Sequence, residues 1–313
     1  MRWENRRRST NVEDRRGSGG RMGRMRLPRG GRISLPSGRS TRRAGGSSIL
    51  MLVVIGLALW IFAGINPLQL LAILAGGGNG TVMTDSRPAP APRTAEQKAA
   101  DDRRADFLSV VLAETETTWN GIFEASGSRY DAPTLVLYTG FTNTGCGTGS
   151  AAAGPFYCPL DEKVYIDTSF FDTLERRFDA PGDFAQAYVL AHEVGHHVQN
   201  ETGVLGEYHN QRSRLGERRA NALSVRVELQ ADCYAGVWAH NADRSGIVEE
   251  GDIEEALGAA AAVGDDTLQR RTQGYVVPES FNHGTAQQRS RWFRIGYKSG
   301  NPADCDTFDA ATL

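Results

Sequence analysis

Two histidines four residues apart, with a glutamate after the first, constrain this chain more than any other stretch: His192-Glu193-Val194-Gly195-His196. Positions i and i+4 share a face on a helix. On a helix both imidazoles aim at one point, where they can hold a zinc ion. Glu193, one step around, can reach a water on that ion without binding the metal itself. The surrounding run AQAYVLAHEVGHHVQN carries the periodicity this requires. Phe184, Ala187, Tyr188, Ala191 and Val194 recur at helical spacing. Asp183-x-x-Gln186 after Pro181-Gly182 reads as a capping box, and Gly203 as a stop. The plainer reading of the same residues is a helix with hydrogen-bonded core histidines.

The chain has 313 residues, room for one or two domains and a substantial core. Its net charge of −2 hides a division. Residues 1–47 hold 14 Arg, no Lys and three acids, which leaves 21 of the 35 basic and 34 of the 37 acidic residues to 48–313. An Arg-, Gly- and Ser-rich stretch with few large apolar residues reads as a disordered basic tail, either a nucleic-acid-binding arm or a cytoplasmic segment beside a membrane. The next stretch of chain favours the membrane. Ile49 to Ile65 contains no charged residue, and after Asn66-Pro67 the apolar character resumes to Ala75. At 1.5 Å per residue the first run alone spans about 26 Å, enough for a thin bilayer. Residues 48–75 therefore read as one transmembrane anchor. Arg42 and Arg43 before it place the N-terminus in the cytoplasm and the rest outside, a single-pass cell-membrane protein. A cleaved signal peptide fits less well, since its basic region would be unusually long and the apolar run leads into no clean cleavage site. Residues 76–93 read as a Gly- and Pro-rich linker.

Folded structure is expected over 94–313, an α+β, helix-rich domain with a small sheet. Thr94-x-x-Gln97 opens a helix to about Ala125. TLVLY (Thr134 to Tyr138) and KVYID (Lys163 to Asp167) read as strands around a Gly-rich loop. A long helix is expected from about Asn221 to His240. Asp252-x-x-Glu255 and Thr285-x-x-Gln288 cap two more.

A working zinc site needs a third protein ligand and an open position for water. The run VRVELQADCYAGVWA offers Glu228 and Asp232, again at i and i+4. Glu228 reads as the third ligand. Asp232, one turn on, is placed to accept the free N–H of a ligand histidine, His192 first, and so to fix its tautomer. The reverse assignment, Asp232 as ligand, is the alternative, and a solvated acidic face the plainer reading. Ala231, Ala235 and Gly236 suit close helix packing. The pattern HExxHxxGxxH is absent, because Gln199 and Thr202 occupy its Gly and final His positions.

With these motifs in hand, the chain resembles the membrane-anchored bacterial neutral zinc metallopeptidases, a zincin-type group. MRWENRRRSTNVEDRRG, GPFYCPLDEKVYID, HEVGHHVQ, SVRVELQADCYAGVWA and FNHGTAQQRSRWFRIGYKSG are similar to that family's blocks, in order, over nearly the whole chain. The resemblance implies a zincin-like fold and a gluzincin-like site: His192, His196 and Glu228 on Zn2+, with Glu193 as base for a zinc-activated water that hydrolyses a peptide bond. His283, in Phe281-Asn282-His283-Gly284, is the candidate donor to the oxyanion; a helix-entry role is the alternative. KVYID ahead of the histidine helix reads as the edge strand to which a peptide substrate adds. His197, His209 and His240 read as surface or packing residues. The four cysteines include no CxxC pair, so a cysteine zinc site is not indicated. On the expected extracytoplasmic side they fit disulfides Cys146–Cys158 and Cys233–Cys305, with free buried thiols as the alternative. The function that competes with a peptidase is a non-catalytic, zinc-stabilised envelope scaffold or adaptor. A peptide or protein substrate and the membrane are the expected partners; nucleic acid is not.

Overall fold

The computed structural model of the protein describes residues 1–18, 94–150 and 154–313. The expected anchor (48–75) and linker (76–93) lie outside the described residues, as does the later part of the basic tail. Among the described residues, no helix is long and apolar enough to cross a membrane.

In chain order the elements are β1 (Val12–Asp14), α1 (Ala95–Ala125), β2 (Thr134–Tyr138), a hairpin of β3 (Phe141–Thr144) and β4 (Gly147–Ser150), β5 (Phe156–Cys158) and β6 (Lys163–Asp167). Then come α2 (Phe170–Phe178), α3 (Asp183–Glu201), α4 (Val204–Arg212), α5 (Glu217–Arg244), α6 (Asp252–Ala262), α7 (Asp265–Gln273) and α8 (Ala286–Ser299). The class is α+β and helix-rich, as expected. The main sheet has the order β1-β2-β6-β5; β1–β2 and β2–β6 are parallel and β5–β6 is antiparallel. TLVLY and KVYID each bury their last four residues, as strands covered on both faces do. KVYID is therefore an interior strand. The edge expected of it belongs to β5, because Phe156–Cys158 folds back antiparallel along its outer side.

Two of the four expected capping boxes form: Thr94 with Gln97 at α1, and Thr285 with Gln288 at α8. At α3 and α6 the cap position falls to Gly182 and Gly251, whose φ values of 112° and 94° suit glycine, and Asp183 and Asp252 stand one residue inside. One of the first backbone donors of α3 is met from another helix, since Phe184 N–H donates to Glu255 Oε2 at 3.0 Å.

Small residues set how closely the helices cross. A Cβ on Gly195 would stand 3.0 Å from the Ala231 carbonyl oxygen, so α3 and α5 touch backbone to backbone there. A Cβ on Gly236 would overlap Phe293 O, and one on Gly296 would overlap Cys233 O. Gly236 thus serves the α5–α8 crossing and Ala231 the α3–α5 crossing. Leu108, Leu112, Trp119, Leu135, Ile166, Phe184 and Trp238 fill the core between sheet and helices.

The first seventeen residues correct the expectation of a disordered tail over 1–47. Asn11 O accepts from Leu135 N–H (2.8 Å) and Leu137 O accepts from Arg15 N–H (2.7 Å), which seats β1 as a strand of the main sheet. Trp3 packs edge-on against Phe107, ring centroids 5.4 Å apart. The Met1 amino group lies 3.1 Å from Asp183 and from Glu249, and 3.4 Å from Asp252. Arg2, Arg6, Arg7, Arg8 and Arg16 pair with Glu249, Glu114, Glu116, Asp106 and Asp102. Composition made these arginines look free because the acids that meet them lie about a hundred or more residues away in sequence.

Candidate metal centre

His192 and His196 project from α3, and Glu228 from α5, where Gly195 and Ala231 let the two helices meet. His192 Nε2 stands 3.2 Å from Glu228 Oε2, and His196 Nε2 3.6 Å from Glu228 Oε1. One ligand atom from each residue lies within 4.8 Å of the others. Two ligands held about 2.05 Å from a tetrahedral centre stand about 3.3 Å apart, so this N, N, O set fits zinc.

Each histidine is turned by a bond from its other nitrogen. His192 Nδ1 lies 2.9 Å from Asp232 Oδ1, and His196 Nδ1 2.9 Å from Gln199 Oε1. Gln199 is fully buried and is held in turn, its Nε2 donating to Val227 O and Gln230 Oε1. Both rings so carry their hydrogen on Nδ1 and offer Nε2 to the metal. Asp232 is fully buried and crowded with donors. Arg289 donates Nε to Oδ2 (2.8 Å) and an Nη to Oδ1 (2.9 Å), and the Tyr188 hydroxyl donates to Oδ1 at 2.5 Å.

The charges are set by these neighbours. Burial alone would raise the Asp232 carboxyl, but the Arg289 guanidinium and His192 outweigh it and hold it at about 2. Burial alone would lower His192; the Asp232 carboxylate and Glu228 overcome it and push the imidazole up to about 10. His196 is raised in the same way, burial opposed by Glu228, and Glu228 is held well below the usual carboxylate range. The carboxylates thus favour positive charge at the two imidazoles, where a divalent cation would supply it.

These groups open on a cleft of about 880 Å3, lined also by Glu193, Phe156, Tyr157, Phe170 and His283. Glu193 is mostly buried, and its carboxylate has no hydrogen bond within the described residues. His283 reaches the cleft from the turn before α8. Asp265 Oδ2 accepts the backbone N–H groups of Asn282, His283 and Gly284 (2.7 to 3.0 Å), and its Oδ1 lies 3.2 Å from His283 Nδ1. The ring is thus both a helix-entry residue and a cleft residue, and its Nε2 has no hydrogen bond within the described residues. Its imidazole is raised, burial being outweighed by Asp265 and Glu228.

His197 and His240 are packing residues, bonded to Asp131 O and Tyr157 and to Tyr297 O. His209 is exposed, as the surface reading has it, and also lines the cleft. The cysteines pair as Cys146–Cys158 and Cys233–Cys305, and the second pair ties α5, one residue past Asp232, to the C-terminal segment. Gln199, Tyr188, Arg289 and Asp265 escaped sequence reasoning. The first two carry a local signal, three residues after His196 and four before His192 on the same helix. Arg289 and Asp265 carry none.

A family model described as "Putative neutral zinc metallopeptidase" matches residues 1–308. The chain is 47% identical over 310 residues to the uncharacterized protein YpfJ of Escherichia coli K12, covering 98% of this chain and 99% of that one. It is 44% identical over 218 residues to an uncharacterized protein of Mycobacterium tuberculosis H37Rv, covering 66% of this chain and 73% of the other. No solved structure matches it.

Proposed function

The chain belongs to the family described as "Putative neutral zinc metallopeptidase", and on that premise we propose that it hydrolyses peptide bonds in the cleft where α3 meets α5. The observation that carries the reading is Glu193. It lines an open cleft beside His192, His196 and Glu228 and serves no structural bond among the described residues. A zinc site kept only for stability needs neither a free carboxylate nor open space beside it, which is what disfavours the scaffold reading.

His192, His196 and Glu228 would hold the zinc, which when bound activates water and polarises a carbonyl. Asp232, with Arg289 and Tyr188 behind it, keeps His192 in the ligating tautomer; Gln199 does the same for His196. Glu193 takes the proton of the attacking water and passes it to the leaving amine. His283, protonated and with its Nδ1–H held by Asp265, offers Nε2–H to the oxyanion that develops on the carbonyl. Phe156 and Tyr157 of β5 line the cleft, and the outer edge of that strand, which pairs with no other strand among the described residues, would pair with an extended peptide.

The test is Glu193→Gln in the full chain. Zinc content should be unchanged and peptidase activity should fall at least about a hundredfold. Peptide termini compared between cells carrying either form give the substrates. If both forms release the same termini at the same rate, Glu193 is not the base and the peptidase reading fails.

A further inference from the structure

A single membrane crossing over 48–75 would leave Met1–Gly17 and Thr94–Leu313 on opposite faces. The packing of the first seventeen residues opposes that arrangement. We infer that residues 1–17 are a structural part of the metallopeptidase unit and stand on the same side of any membrane as residues 94–313.

Three observations carry this. The first is the sheet. β1 covers one edge of β2, with Val12, Glu13 and Asp14 registered on Leu135, Val136 and Leu137. Without β1 that edge would present unpaired N–H and C=O groups on a strand whose residues Leu135 to Tyr138 are at most 1% exposed. Such an edge is an aggregation template that folded proteins cover.

The second is Glu116 on α1, which is 6% exposed. Its carboxylate accepts from Ser9 Oγ (2.5 Å), Asn11 Nδ2 (2.9 Å) and Arg7 Nη1 (2.9 Å), all from the N-terminal segment. Remove the segment and a largely buried carboxylate loses all three partners, a state that folded proteins avoid.

The third is charge. Arg6, Arg7, Arg8 and Arg16 meet Glu114, Glu116, Asp106 and Asp102 of α1. Each exposed pair contributes little by itself. Their register along a helix nonetheless accounts for arginines that composition assigned to a membrane surface or nucleic acid. An exchange of the segment between two copies would leave the sidedness the same.

The test uses two full-length variants, each with one added exposed cysteine: Thr10→Cys in the segment and Arg129→Cys in the domain. The native cysteines are paired and do not compete. Intact cells and lysed cells are treated with a membrane-impermeant maleimide. The two positions should behave alike, both labelled in intact cells or both only after lysis; the two disulfides favour the first. Labelling of one position in intact cells and of the other only after lysis overturns the inference. A second measurement tracks docking itself. Arg-specific proteolysis within Arg6–Arg8 should be slow in the purified full chain and at least about tenfold faster in Glu116→Arg. Equal rates would show that the segment is not docked, and the sidedness would fall with it.

Discussion

Arg289→Met would expose the group on which the metal centre rests. Asp232 is fully buried, and Arg289, with a side chain 5% exposed, gives it two charge-assisted hydrogen bonds. Removing one partner of a buried ion pair costs about 3–5 kcal/mol. At about 1.4 kcal/mol per tenfold, the unfolded fraction rises by roughly two to four orders of magnitude. Zinc affinity should drop about 10- to 100-fold as the carboxylate behind His192 loosens. Arg289→Lys should fall between, since an ammonium cannot bridge both oxygens as the guanidinium does. The double variant Arg289→Met/Asp232→Leu separates the two effects. With both charges gone, most of the stability should return, while zinc affinity stays low because His192 Nδ1 has lost its acceptor. The assays are urea unfolding of the full chain in chelator and competitive zinc titration. Asp232 is held at about 2 against an ordinary 3.8. Its share of stability is therefore complete above 3.8 and lost as pH falls through 2; without Arg289 that acid limb should move to higher pH. Arg289→Met with wild-type stability and affinity would refute the reasoning.

Three further outcomes are expected. Glu228→Ala should lose zinc affinity steeply, while Asp232→Ala should lose about 10- to 100-fold and still bind at saturating metal; equilibrium dialysis measures both, and the opposite order would exchange the ligand assignment. Metal-free stability and zinc affinity should respond to pH in opposite directions. His192 is raised from 6.5 to about 10 and His196 is raised too, so the stability they lend is full below 6.5 and lost as pH rises toward 10. Zinc must displace those protons, so its affinity should climb over the same window with proton release visible by calorimetry in buffers of different ionisation enthalpy; flat affinity would contradict it. His283→Gln should lower kcat by about 100- to 1000-fold with zinc binding unchanged, and an unaltered kcat would leave His283 only its place at the entry to α8.

The helix bearing His192 and His196, the strands TLVLY and KVYID, the caps at Thr94 and Thr285, and the Glu228–Asp232 spacing were all legible from the chain alone. Each is encoded within a few residues by helical or strand periodicity or by a cap, and local order of that kind does not depend on how the chain closes. The pairing of Cys146 with Cys158 and of Cys233 with Cys305 was also anticipated, from position along the chain. Tertiary structure decided the rest. KVYID is as apolar as an edge strand covered on one side, and only the antiparallel return of Phe156–Cys158 makes it interior. Asp183 and Asp252 have the spacing of capping residues, but glycines with positive φ take the cap. Arg289 reaches Asp232 because Gly236 and Gly296 let two helices cross at backbone contact, a distance no local pattern states. The first seventeen residues read as a free basic tail because their partners, Asp102, Asp106, Glu114 and Glu116 on α1 and Leu135 to Leu137 on β2, come together with them only when the sheet closes. A charge or an unpaired strand edge has no fixed partner in sequence, and it acquires one only through the packing of the folded chain.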